Sequence, residues 1–214
     1  MILTFHGVGA VPAHVGDSER GVWVERELFE AILDEVRARD DVAITFDDGN
    51  RSDVEIAMPA LAERGMRGTF FVLADRLGTP GYLSAGDLEE LTAAGMTVGC
   101  HGSAHRSWRS LGDDELRRDV DGGRGQLERA LGGSVTEASC PFGEYDRRVL
   151  RELRRLGFTR AYTSDGGWTD AGRWLQARNT VTSDWQSLRE RLEGREPRAA
   201  RVERAAKGLV KRWR

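Results

Sequence analysis

Cysteine is almost missing from this chain: two residues, Cys100 and Cys140, occur among 214. That excludes a disulfide-stapled scaffold, and their spacing to each other and to the histidines does not suggest a thiolate zinc site. Long apolar runs are lacking as well. No stretch approaches the roughly 20 residues that span a bilayer. The apolar start Met1-Ile2-Leu3-Thr4-Phe5 has no basic segment and is broken by His6-Gly7, unlike an export leader. A cytoplasmic location is the resulting expectation. A dinucleotide fold is disfavoured, because Gly7-Val8-Gly9 has no third glycine and Pro12 follows. Histidine is scarce too, with four in the chain: His6, His14, His101 and His105.

Charge is plentiful but unevenly spread. Charged residues make up 31% of the chain, with a net −3. Residues 195–214 hold eight Lys/Arg and two Glu, about +6, which leaves about −9 on the remainder. Basic charge confined to one tail, with no recognition motif beside it, argues against a nucleic-acid partner. Within the tail, Val202, Ala206, Leu209 and Trp213 recur at helical spacing among Arg and Lys. Such a helix fits peripheral contact with an anionic membrane surface through residues 195–214, and equally packing on the acidic body. The 39% of hydrophobic residues suffice for one sizeable core. We therefore expect a single catalytic domain over 1–190 and a basic amphipathic helix over 191–214.

Short apolar runs alternate with amphipathic ones. Ile2–Phe5, Val42–Phe46, Thr69–Leu73, Thr97–Cys100, Thr136–Cys140, Ala161–Thr163 and Leu175–Ala177 read as strands. Leu28–Arg39, Val54–Arg64, Ser84–Ala94, Asp114–Leu131 and Asp146–Leu156 read as helices. Ser84 and Asp87 form a capping-box-like start, and Gly65, Gly95 and Gly157 each sit just past a helix, where a left-handed residue is wanted. Repeated helix–glycine–strand units indicate βα units, a parallel sheet and an α/β fold: a distorted (β/α)7-type barrel, with an open doubly wound sheet as the competing topology. In either, chemistry gathers at the carboxyl ends of the strands. His6, Asp47, Asp48, His101 and Cys140-Pro141 all fall there.

Asp47 and Asp48 close one strand, and His101 and His105 follow the end of another. One carboxylate with two imidazoles is a common ligand set for a catalytic zinc, and the second carboxylate is then free to act as a base. The blander alternative for the aspartates, or for Asn50, is capping a helix that begins near Ser52. For His101 and His105 it is a solvated surface pair. His6 is either a hydrogen-bonded structural histidine or, as the one remaining imidazole at a strand end, a proton donor. His14, in a loop with Pro and Gly, is expected to be solvated.

Thr45-Phe46-Asp47-Asp48-Gly49 with Gly68-Thr69-Phe70-Phe71-Val72 closely resembles the first motif region of the polysaccharide deacetylases, the carbohydrate esterases of the NodB homology domain. His101-Gly102-Ser103-Ala104-His105 resembles their second motif, and Cys140-Pro141-Phe142-Gly143-Glu144-Tyr145-Asp146 their third. The resemblance implies a hydrolase that removes N-acetyl groups from an acetylated amino sugar or glycan. By the same resemblance Asp48, His101 and His105 hold a divalent metal, zinc first and cobalt or nickel as alternatives. Asp47 is the base on the activated water, and the backbone N–H of Phe142 helps stabilise the oxyanion. Leu3-Thr4-Phe5-His6 looks like the Tyr-His strand motif of one branch, which makes His6 the acid. Two departures stand out. Ala138-Ser139-Cys140 lacks the arginine that orients the base in many members, a role that Arg178 could take, and the late Leu-x-His motif is missing. Related readings stay open: hydrolysis of an O-acetyl ester or a cyclic amide, or a catalytically impaired carbohydrate-binding homologue, against which the intact Asp47 argues. Trp108, Trp168, Trp174 and Trp185 are candidates for a sugar-stacking surface or, alternatively, for core and rim packing.

Overall fold

The alternating runs fold into a ring of parallel strands with helices outside it. This computed structural model describes residues 1–194, 202, 203, 206 and 208–211. In chain order the elements are β1 (Ile2–Phe5), β2 (Gly7–Val8), α1 (Asp17–Arg20), β3 (Trp23–Val24), α2 (Arg26–Val36) and β4 (Ala43–Asp48). A π-helix, Asp53–Ala57, then runs into α3 (Met58–Glu63). After it come β5 (Gly68–Val72), α4 (Ala85–Ala93), β6 (Thr97–Cys100), α5 (Asp113–Leu131), β7 (Glu137–Ser139) and α6 (Arg147–Arg155). The chain continues through β8 (Arg160–Thr163), β9 (Leu175–Ala177), β10 (Asn179–Thr180) and α7 (Trp185–Leu192).

The main sheet has eight strands in the order β10-β1-β4-β5-β6-β7-β8-β9, every pairing parallel. Its two ends are β9 and β10, and only Arg178 separates them. One interrupted strand thus pairs with β8 on one side and β1 on the other. Counted as one, it reduces the eight strands to the seven of the expected distorted (β/α)7 barrel. The pleat sorts side chains by alternation. Phe5, Phe46 and Phe70 point outward: Phe46 stacks on Phe70 at 4.5 Å between centroids, and Phe29 of α2 meets Phe5 edge-on at 4.9 Å. The alternate positions face inward, where Thr4 and Thr45 share a 2.8 Å hydrogen bond and Ile2, Phe71 and Tyr162 form a separate apolar cluster. Asp47, two residues beyond Thr45, therefore joins the barrel interior.

Helix starts follow local chemistry. Ser84 and Asp87 complete the capping box, and Asp146 accepts from the Val149 N–H to start α6. Gly65, Gly95 and Gly157 all have positive φ, as their place after a helix requires. Three features depart from expectation. β4 extends to Asp48, so both aspartates belong to a strand and neither caps the next helix, whose N-cap Ser52 makes no side-chain cap bond. The π turn, the β2–β3 pair, β10 and α7 were not foreseen. In the tail, residues 202, 203, 206 and 208–211 are helical, with Val202, Leu209 and Val210 exposed. Lys211 pairs with Asp165 at 2.8 Å and donates to the Gly143 carbonyl, an observation that favours packing on the body. Trp213 and the rest of the expected helix lie outside the described residues. Among the described residues no helix is long and apolar enough to cross a membrane.

Candidate metal centre and active site

The carboxyl ends of β4 and β6 bring Asp48, His101 and His105 together. One donor atom from each lies within 4.8 Å of the others. Asp48 Oδ1 is 3.6 Å from His101 Nε2 and 3.4 Å from His105 Nε2. It is buried and, among the described residues, has no hydrogen-bond partner. Both imidazoles use their other nitrogen elsewhere: His101 Nδ1 meets the Ser139 carbonyl at 2.9 Å, and His105 Nδ1 meets Glu19 Oε1 at 3.2 Å. With Nδ1–H donated outward, each Nε2 lone pair faces the unpaired carboxylate oxygen. Burial pushes His101 below the usual imidazole range despite the nearby Asp47 and Asp48, which favours the neutral form that a metal needs. The donors thus fit a divalent cation of the zinc class. Backbone geometry marks the same spot. Among the described residues, Asp48 (φ 78°), His105 (φ 50°) and Phe142 (φ 58°) are the non-glycine residues with positive φ. Strain of this kind persists where surroundings enforce it, commonly at functional sites.

Asp47 sits behind this cluster, and Arg178 grips it. Arg178 Nη1 donates to Asp47 Oδ1 at 2.6 Å and Nη2 to Oδ2 at 2.7 Å, a two-pronged pair. Nη2 also donates to Ser139 Oγ at 2.6 Å, and the guanidinium lies over the Phe71 ring. The Arg178 side chain is fully buried. Burial alone would raise the Asp47 carboxyl, but the charge of Arg178, with His101 and His6, outweighs it and holds the group well below the usual carboxylate range. Two residues beyond Gln176, which pairs with the inward-facing Tyr162, Arg178 points into the barrel by the same alternation. Ser139, the last residue of β7, supplies the hydroxyl that Arg178 meets.

The remaining expected residues separate clearly. His6 Nε2 lies 3.9 Å from Asp47 Oδ2, and its side chain keeps 19% exposure. Its backbone carbonyl is held by Asn50, and its Nδ1 is buried without a hydrogen-bond partner among the described residues. Phe142 is 59% exposed and stacks on His105 at 4.3 Å between centroids, so it forms an aromatic face at the mouth. His14 is exposed, as expected, 5.1 Å from the Tyr82 ring. Burial pushes both thiols, Cys100 and Cys140, up to about 12, which leaves neither a ready nucleophile or ligand.

The tryptophans do not form a sugar platform. Trp108 is fully buried, and its indole donates to Asp119, which also receives the Ser103 and Ala104 N–H groups and so braces the histidine loop. Trp185 is buried and packs from α7 near Glu35, while Trp174 donates to the Phe158 carbonyl. Trp168 is half exposed but lines a cavity with Met1, Ile2 and Thr97 at the amino ends of the strands, away from the site. Sequence reasoning missed Phe142 as an aromatic surface, Glu19 beside His105, and Asp119. The one available signal for Asp119 was its place on the apolar face of a long helix, at helical spacing from Leu116 and Gly123.

The class so defined is a parallel barrel whose strand ends carry a His/His/Asp set that could hold a metal ion, with a second carboxylate beside it. The family model described as polysaccharide deacetylase matches residues 34–161, more than half of the chain, and the chain belongs to that family. A curated Bacillus subtilis member of the polysaccharide deacetylase group, YxkH, is 23% identical over 140 residues, covering 65% of this chain and half of its own length. Among solved structures, the Streptococcus pyogenes deacetylase PplD in complex with acetate superposes with a TM-score of 0.78 at 18% identity, covering 92% of this chain and 97% of that one. IcaB from Ammonifex degensii gives 0.75 at 23% identity, with 87% and 94% covered. At these identities the structural likeness establishes the fold.

Proposed function

We propose that the protein is a metal-dependent hydrolase that removes N-acetyl groups from an acetylated amino sugar or glycan. The observation that carries this reading is the convergence of Asp48, His101 and His105 on one point beside the ionised Asp47, in a polysaccharide deacetylase barrel. A divalent ion there, zinc first, would polarise the acetyl carbonyl and lower the pKa of a water.

Asp47 stays ionised across the working range and accepts the proton of the attacking water. Arg178 fixes the plane of that carboxylate and leaves its outer lone pairs for the proton. The backbone N–H of Phe142 faces the developing oxyanion. As the new C–O bond forms and the C–N bond breaks, the leaving nitrogen takes a proton from His6, and acetate and the free amine are the products. The partial exposure of His6 suits a group that must be reprotonated from solvent. Phe142 offers its ring to a pyranose face. The exposed Val202, Leu209 and Val210 of the basic tail offer an anionic membrane surface a second contact beside the packing of Lys211 on the body, tested by vesicle co-sedimentation with and without residues 195–214. Equal sedimentation of both chains would remove it.

The deciding experiment is elemental analysis of the purified protein and two variants, followed by acetate release from N-acetylated and O-acetylated sugars. About one zinc or similar ion per chain is expected in the parent and in Asp47→Asn, and none in Asp48→Ala. Both variants should lose turnover, Asp47→Asn by a factor on the order of 10²–10⁴. Zinc retention by Asp48→Ala, or full turnover by Asp47→Asn, would overturn the assignment of that residue.

A further inference from the structure

The support given to the two histidines is unequal. His101 Nδ1 faces a neutral carbonyl, that of Ser139. His105 Nδ1 faces the carboxylate of Glu19 at 3.2 Å. Glu19 comes from α1, in the excursion between β2 and β3, a region with no counterpart in the motifs. A second charge completes the arrangement: Arg76 Nη2 is 3.3 Å from Glu19 Oε1 and 3.5 Å from His105 Nδ1, and its guanidinium lies 4.8 Å from the Tyr82 ring centre. The Glu19 side chain is 23% exposed, so the contact is partly screened from water.

We infer that Glu19 is a positioning residue for the metal centre, the carboxylate that fixes the tautomer of His105 and aims its Nε2 at the cation. The inference rests on the metal-site reading above. A carboxylate that accepts from one imidazole nitrogen keeps the proton there, raises the electron density at the other and locks the ring plane. Here it also opposes Arg76. A guanidinium is a donor only. Without Glu19, Arg76 would face His105 Nδ1 alone and favour the tautomer with the proton on Nε2, which has no lone pair for a metal. Glu19 therefore acts twice, by holding the productive proton position and by occupying the arginine that would reverse it.

Zinc affinity of the metal-free chain, measured by competition with a chromophoric chelator, tests this without reference to activity. Glu19→Ala is expected to weaken zinc binding roughly 10–100-fold. Glu19→Gln, which keeps an acceptor and loses the charge, should fall between that and the parent. Adding Arg76→Met to Glu19→Ala should recover part of the loss, a rescue that a merely structural role would not give. The thermal midpoint of the metal-free chain should stay near the parent value, because Glu19 sits on a short surface helix. Parent-like zinc affinity in Glu19→Ala overturns the inference, as does a lowered midpoint with unchanged affinity. If the parent binds zinc no better than Asp48→Ala, the metal-site reading falls and takes this inference with it.

Discussion

Arg178 shows how one buried residue can hold a carboxylate in a fixed plane. Its two-pronged contact with Asp47 joins β4 to the closing strand across 131 residues of sequence. Because the pair is buried, removing one partner strands a charge. Arg178→Ala is expected to destabilise the fold by roughly 3–5 kcal/mol, read as a shift of the urea midpoint. Arg178→Lys keeps the charge but not the fork. It should fold, bind zinc and lose most turnover, since Asp47 would no longer be held in one plane. Parent-like kcat in Arg178→Lys would show that charge alone suffices. At this scale Asp47, Asp48, His101, His105 and His6 were legible, because each ends or closely follows a strand in a chain with few histidines. Glu19 was not: it lies 86 positions before His105 in a segment without periodicity, and nothing local distinguishes it from a solvated glutamate.

Elements position these residues through a few close approaches. Gly123 of α5 is the clearest. A Cβ there would lie 2.7 Å from the Gly102 backbone carbon and 3.0 Å from the Ser103 nitrogen, inside the loop between the two histidines. Backbone atoms cannot rotate away, so Gly123→Ala must push α5 off that loop. We expect a lower thermal midpoint together with weaker zinc binding. Its neighbour Gly122 has nothing within 4 Å of the same position. Gly122→Ala should gain about 0.5–1 kcal/mol from helix propensity and leave zinc affinity alone. Equal zinc affinity in both variants would mean that α5 does not set the loop. Strand and helix cores were readable from period and glycine punctuation, with boundaries moving by one to three residues. The π turn at Asp53–Ala57 was not, because one extra residue per turn leaves the apolar pattern of Val54–Arg64 almost unchanged. The β2–β3 pair, two residues each, is too short to carry a pattern at all.

The whole molecule closes its barrel around buried charge, and that governs its response to pH. Asp47 and Asp53 are both buried, yet their carboxyls are shifted in opposite senses. Asp47 is held well below the usual range, as described above. Asp53, at the start of the π turn, is pushed well above it by burial and then by the charges of Asp48 and Asp47, and neither of its oxygens has a hydrogen-bond partner among the described residues. The signs follow from proton binding. For Asp47 the unfolded chain holds the proton more tightly, so its contribution is present above about pH 4 and is lost as pH falls through that region toward the depressed folded value. For Asp53 the folded chain holds the proton more tightly. Stability is therefore drawn down from about pH 4 upward, by at most roughly 1.4 kcal/mol per pH unit, until the raised folded value is passed. Urea unfolding of the metal-free chain between pH 4 and 8 should show that decline. Asp53→Asn, neutral and of the same shape, should flatten it while leaving the loss below pH 4, which belongs to Asp47. A decline of the same slope in Asp53→Asn would assign it to other groups and remove Asp53 as a buried neutral acid.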